Sequence, residues 1–321
     1  MNISLGKQGN YVKMVHNGIE YGDMQLIAEV YDVMKNLLGM NNEEIADTFE
    51  EWNKSELSSY LIEITSIILR KKDDKKDDFV VDYILDKTGQ KGTGRWTMEE
   101  AVAKGVAAPT LAAAVDARVL SAMKEERVEA SRIFHDPEKS TCDRSQTIDD
   151  LKAALYASKV CSYAQGLNVI AAASNEYGWE VDLSECARLW TGGCIIRAEL
   201  LTSIQAAYMR DSSLTNLLVD PSFASEINER TKKWRRVVAL CISSGIACPA
   251  LSGSLAYLDT YRRSRLPASL TQAQRDFFGG HTYERTDEEG RFHTAWTESH
   301  KDIGDANQRT AGERDKSHAG Q

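Results

Sequence analysis

A chain of 321 residues, 42% hydrophobic and 27% charged, has the make-up of a soluble globular protein and can bury one large core or two ordinary ones. Its net charge of −9 and pI near 5.3 argue against non-specific nucleic-acid binding, although basic side chains inside a cleft can still receive a small anion. Six cysteines without CxxC spacing speak against a structural zinc site, and MNISLGKQGN lacks the apolar run of a signal peptide, so reduced thiols and a cytoplasmic location are expected.

Helical periodicity dominates the chain and no βαβ alternation is evident, so the expected fold class is all-α. The first helix is expected from about Tyr11 to Leu38, closing at Gly39. At roughly 100° per residue, Val12, Val15, Ile19, Leu26, Val30 and Val33 form one apolar stripe. Away from it, Lys13, Asn17 and Glu20 fall within about 60° of one another, with Tyr21 beside them and His16 alongside. An amphipathic surface helix would also carry charges there. The choice of an amine, an amide, a carboxylate and a phenol instead suggests a face built to be covered. Gly18 and Gly22 each weaken this helix by roughly 1 kcal/mol relative to Ala, which implies that something approaches its backbone closely.

Asn41 and Asn42 are candidate caps for a second helix, EEIADTFEEW, with its acidic first turn. Ser55 is expected to start a third, with Leu57, Leu61, Ile64 and Ile68 on one face, and KKDDKKDD at 71–78 reads as a solvated loop. FVVDYILDKT reads as helix, with a short strand as the alternative. GQKGTGRW at 89–96 is neither a Walker loop, since Arg95 follows Gly94, nor a dinucleotide fingerprint. Its glycines read as a turn, whose free N–H groups and Lys91 would also suit an anion. Thr97 and Glu100 suggest a capping box for the next helix.

Pro109 marks a helix start, and the segment to Phe134 is Ala-rich and carries Asp116 and Arg118. A loop at 135–146 precedes a long helix from about Ile148 to Asn175, with Ile148, Leu155, Tyr156, Tyr163, Leu167 and Ile170 as its core stripe. LSECARLWTGGCIIRAELLTSIQAAY reads as a helix interrupted by a Gly pair. Asp220–Pro221 opens a helix whose stripe is Ile227, Trp234, Val238 and Cys241. The 22 uncharged residues from Val237 to Leu258 imitate a membrane span, but Gly245 and Pro249 make two buried helices meeting at a turn the better reading. This stretch and Ala101–Ala117 look apolar nearly all round, as at a bundle centre or a dimer interface. Residues 1–298 thus read as one helical domain, and 299–321 as a polar tail unable to fold alone.

KMVHNGIEYGDMQL resembles the signature of the 6-phosphogluconate dehydrogenases. The resemblance continues in LDKTGQKGTGRW, DARVLSAMKEERVEA, LYASKVCSYAQGLNVI, LWTGGCIIRAELL, NLLVDPSF and LAYLDTYRRSRLPASLTQAQRDFFGGHTYER, from about Gly9 to Trp296. It implies the family's all-helical C-terminal domain, and oxidative decarboxylation of 6-phosphogluconate to ribulose 5-phosphate with NADP as hydride acceptor and no metal. That reaction belongs to the pentose phosphate pathway. By the resemblance Lys13 is the base and Glu20 the acid, while His16 and Asn17 hold substrate oxygens. Tyr21, Lys91 and Arg118 are the implied phosphate and sugar ligands, with Thr93 assisting. Arg275 and His281 match ligands contributed by the second subunit of a homodimer, so that a monomer's site would be incomplete. Arg95 stands where the family usually has lysine. The family's N-terminal NADP-binding domain has no counterpart in this sequence, and its tyrosine-containing C-terminal ending has none either. The chain alone is therefore expected to be nearly inactive; the alternative is a shortened, non-catalytic sugar-phosphate-binding or dimerisation fragment.

Overall fold

The structure, a computed structural model, describes residues 7–135 and 137–296, and the tail expected at 299–321 lies outside them. The described chain divides into two compact units, Met1–Asp259 and Thr260–Gln321. Twelve α-helices and a few single turns make up its regular structure, so the all-α expectation is met.

The first unit is built round one helix, Arg144–Tyr177 (α7 in chain order), which starts under the Asp143 side chain and ends at Gly178 in the left-handed region. Every residue from Ala153 to Leu167 is buried, so this helix has no wet face where a single stripe was expected. Its small residues explain the difference. Ala153, Ala154, Ala157, Ala164 and Gly166 let neighbours approach from several sides, and a side chain at Gly166 would run into Ile19. The neighbours are α1 (Lys7–Asp32), α5 (Pro109–Ala122) and α10 (Pro221–Ser243). The stretch 101–117, expected to be apolar all round, instead holds the end of α4 (Thr93–Ala103), a turn with Gly105 at φ 65°, and the start of α5, with Val102 76% exposed.

α1 continues into a π-helical turn, Val33–Leu37, before Gly39 at φ 63° ends it. Its two interior glycines serve contacts within the protein. A Cβ at Gly18 would lie 2.6 Å from Thr97 of α4, and one at Gly22 would meet Ser162 of α7. α2 (Asn42–Trp52) is capped by Asn41 in a full capping box with Glu44. α3 starts at Tyr60 rather than Ser55, because Ser59 takes the N-cap and Leu57 is buried in the turn before it. Its buried side is Leu61, Ile62, Ser66 and Leu69, while Ile68 is exposed. FVVDYILDKT forms neither a full helix nor a strand: Phe79 makes a single antiparallel bridge with Lys72, and one 3₁₀ turn follows at Val80–Tyr83. The capping box expected at Thr97 is absent: Gly92, at φ 97°, caps α4 five residues earlier, and the Thr97 hydroxyl donates to the Met14 and Thr93 carbonyls. The Ala-rich segment breaks at Met123, after which α6 (Lys124–Ile133) begins.

The rest of the unit follows its local signals. α8 (Leu183–Trp190) and α9 (Leu200–Arg210) flank the Gly192–Gly193 turn, and Asp220 caps α10, whose expected stripe is buried. α11 (Pro249–Tyr261) begins after the turn at Gly245; no helix among the described residues is long and apolar enough to cross a membrane. Thr110 of α5, Gln165 of α7 and Ser254 of α11 form a buried hydrogen-bonded knot: Thr110 N donates to Gln165 Oε1 at 3.0 Å, and the Thr110 and Ser254 hydroxyls pair at 2.7 Å.

Glu29, buried near the end of α1, caps α11 from a distance in sequence: its carboxylate accepts from Ala250 N and Leu251 N, each at 2.8 Å. Burial raises its pKa from 4.5 to about 7 against the opposing pull of those two N–H groups. The native state therefore holds this proton more tightly than the unfolded chain does. The resulting stabilisation is complete below pH 4.5 and is lost as pH rises through 7. Glu29→Gln is expected to flatten the fall of stability across that range by up to ~1.4 kcal/mol per pH unit, as read from urea unfolding at stepped pH.

Candidate active site

Five of the expected site residues follow one another at intervals of about a turn or less on α1 because the helix stays regular from Lys7 to Asp32. Lys13 is exposed, Asn17 and Glu20 are half-buried and Tyr21 is buried. Lys13 Nζ lies 3.4 Å from His16 Nδ1, which is itself 3.0 Å from Asn17 Oδ1. A hydrogen on Nδ1 serves Asn17 and leaves Lys13 to approach as a neutral amine; a bare Nδ1 accepts instead from the Lys13 ammonium. The donor and acceptor roles in the Lys13–His16 contact thus depend on which nitrogen of His16 carries the hydrogen. His16 is fully buried, its Nε2 has no hydrogen-bond partner, and its ring meets Trp190 edge-on at 5.5 Å. Burial, reinforced by Lys13 and opposed by Asn17, lowers its pKa to about 4, so the ring is neutral at pH 7. In this structure His16 is turned toward Lys13 and Asn17 rather than toward solvent.

Glu20, one turn further on, is held above the usual carboxylate pKa by burial and by the charge of Asp23, against the pull of Lys13 and Arg118. A carboxyl tuned upward is suited to delivering a proton. The Tyr21 ring has two close neighbours: the Arg118 guanidinium lies over it, 3.4 Å from its centroid, and Gly94 comes so near that a Cβ there would run into the ring. Arg118 also donates to the Gly89 carbonyl at 3.3 Å, which ties α5 to the turn carrying Lys91 and leading into Thr93. Lys91 is exposed. The first unit therefore brings Lys13, His16, Asn17, Glu20, Tyr21 and Arg118 together and places the Lys91 turn next to Arg118. Arg275 and His281 belong to the second unit and are both exposed there.

Beneath this face lies a pair that the sequence reading passed over. Lys159 of α7 donates to Asp23 Oδ2 at 2.5 Å, and both side chains are at most 2% exposed. Tyr163 beside them donates to the Ile196 carbonyl at 2.9 Å. One signal was available: a lysine within the small and apolar run LYASKVCSYA is almost never buried without a partner. Among the described residues no group of three or more His, Cys, Asp or Glu is placed to hold a metal.

The described residues thus form an all-helical domain that carries an amine and an upward-tuned carboxyl on one helix face, with guanidinium and amine groups beside them. The family model of the 6-phosphogluconate dehydrogenase C-terminal domain matches residues 9–296. The chain is 58% identical over 300 residues to "6-phosphogluconate dehydrogenase, decarboxylating 2" of Arabidopsis thaliana, covering 92% of this chain and 62% of that protein. It is 56% identical over 303 residues to a chloroplastic counterpart from Spinacia oleracea, covering 92% of this chain and 56% of that one. Among solved structures it is similar to the Plasmodium falciparum 6-phosphogluconate dehydrogenase, with a TM-score of 0.90 and 47% identity over 92% of this chain and 64% of that one. That enzyme has been solved in its apo form, with its cofactor NADP+ and with its substrate 6-phosphogluconate. This chain belongs to the 6-phosphogluconate dehydrogenase family. It spans less than two thirds of the length of these relatives.

Proposed function

We propose that this chain supplies the substrate-binding and proton-transfer half of a decarboxylating 6-phosphogluconate dehydrogenase that uses NADP, as the Plasmodium relative does. The observation that carries the reading is the α1 face, where Lys13 is paired to neutral His16 and Glu20 is tuned upward beside it. Lys13, as the neutral amine, takes the proton from the substrate hydroxyl as it is oxidised. As the ammonium it then polarises the new carbonyl oxygen while CO2 leaves. Glu20 returns a proton to the carbon of the enediol. Asn17 and His16 orient the substrate, and Tyr21, Lys91 and Arg118 receive its phosphate and hydroxyl groups, with Thr93 beside them. A second subunit completes the site through Arg275 and His281, and residues 1–298 act as the substrate-binding and dimerising part.

The described residues do not fit NADP. Gly92 runs directly into α4 with no strand before it, so the strand–turn–helix cradle of a dinucleotide pyrophosphate is not among them. Six free cysteines, four of them buried, agree with a reducing compartment, and we place the protein in the cytoplasm.

Calorimetric titration of the purified chain tests the reading. Binding of 6-phosphogluconate that weakens about tenfold or more in Arg118→Ala, with no heat from NADP, is the expected result. Absence of sugar-phosphate binding, or binding indifferent to Arg118, overturns the preformed site.

A further inference from the structure

The second unit contains a piece of engineering that the proposed reaction leaves unexplained. Its helix α12 (Ala268–Gly279) carries Arg275 just before its last turn, ends at Gly280 in the left-handed region, and is followed at once by His281. Next comes Thr282 at φ 56°, a conformation that a β-branched residue adopts only when its surroundings impose it. Those surroundings are two side chains of α12.

Asp276 is fully buried, and its carboxylate accepts four hydrogen bonds. Thr282 N at 3.0 Å and His293 Nδ1 at 2.9 Å reach Oδ1; Thr294 N at 3.1 Å and Trp296 Nε1 at 2.9 Å reach Oδ2. Its own carbonyl accepts from Gly280 N at 2.9 Å. Gln272, one turn earlier, donates to the Thr282 carbonyl at 2.5 Å and accepts from Arg275 Nη1 at 3.0 Å. Thr282 is thus held by both its N–H and its carbonyl. The residue before it is His281, and the guanidinium of Arg275 is tied to the same Gln272. Gly279 adds a steric condition: a Cβ there would lie 2.7 Å from His281 Nε2. The returning segment is closed by the isolated Tyr283–Phe292 bridge, with N–H···O distances of 2.9 and 2.8 Å.

A connecting segment needs none of this. Burying a carboxylate is worthwhile only if its donors are fixed around it, and here those donors come from both ends of the loop that displays the histidine. We propose that Asp276 and Gln272 are positioning residues that set Arg275 and His281 as one rigid, preformed anion-binding arm, before any phosphate arrives. This deepens the proposed function and rests on it for the identity of the anion. Asp276 touches no substrate in this account. It acts through Thr282 on His281, and Gln272 acts through both Arg275 and Thr282.

A double-mutant cycle on the full chain tests the arm, with 6-phosphogluconate and inorganic phosphate as the titrated probes. Asp276→Asn keeps the shape but sets an amide N–H against donors that need an acceptor, and Gln272→Leu removes both of its bonds. Each is expected to weaken 6-phosphogluconate binding about tenfold in the parent chain. In an Arg275→Ala/His281→Ala background each should change it less than about twofold, because the groups they position are gone. Equal losses in both backgrounds would mean a general structural role and overturn the proposal. The ring carbon resonances of isotopically labelled His281, read without ligand, report the arm separately. They should move in Gln272→Leu, whose folding does not depend on a buried charge. Unchanged resonances overturn the arm even if the sugar phosphate binds, whereas shifted resonances with no binding in the parent chain would support the arm and sink the assignment of its anion.

Discussion

Lys13→Met is expected to lower the rate of 6-phosphogluconate oxidation by a factor of ~10²–10⁴, the range lost when a positioned acid–base group is removed. Substrate affinity should change far less, since Arg118, Lys91 and Tyr21 are untouched. The measurement is NADP reduction by this chain joined to the cofactor domain of a relative. The reason for so large an effect is that in the proposed reaction one nitrogen serves twice: it removes the hydroxyl proton and then, charged, faces the oxygen on which negative charge grows. Lys13→Arg should not rescue, because a guanidinium cannot give up its proton near neutral pH to act as the base. A Lys13→Met protein that keeps its rate would move the base to another residue.

Lys159→Met is expected to destabilise the first unit by about 3–5 kcal/mol, because it strands the Asp23 carboxylate in the core. Urea denaturation of the purified chain reads this directly. The double change Asp23→Leu with Lys159→Met should recover most of the loss, since an apolar pair of similar bulk has no charge to desolvate. The location of the pair gives it a second consequence. Asp23 lies three residues after Glu20, and its charge contributes to holding Glu20 above the usual carboxylate pKa. With Asp23 replaced by Leu, that push is gone and the Glu20 pKa should fall, shifting the alkaline limb of the rate profile, where the proposed acid loses its proton, to lower pH. The ion pair that fastens α1 to α7 thus also tunes the proposed acid.

The sequence was most informative where the governing forces act over a few residues. Asn41 with Glu44, Asp220 before Pro221, Pro109, Pro249 and the left-handed Gly39 mark helix ends by themselves, since capping and backbone freedom depend only on near neighbours. The same holds for the α1 face, where helical spacing alone brings Lys13, Asn17, Glu20 and Tyr21 to one side. The misreadings arose where local signals competed. Ser55 and Thr97 look like caps as Asn41 does, but Ser59 caps α3 and the left-handed Gly92 starts α4. Ile68 fits the periodic stripe of α3, yet it is exposed because the residues packing that helix lie elsewhere in the chain.

Sequence by itself therefore determined the helical class, several helix ends, the family and the residues of the α1 face. These follow from short-range backbone preferences, side-chain periodicity and motifs that a linear chain displays openly. Tertiary structure alone decided which helix is central and what each close glycine is for: Gly18 and Gly22 admit Thr97 and Ser162, and Gly94 admits the ring of Tyr21. It also decided that Lys159 answers Asp23 across 136 positions, and that Asp276 gathers donors from Thr282 to Trp296 round one buried carboxylate. Burial and electrostatic pairing depend on which distant segments meet, and no local pattern in the chain encodes that.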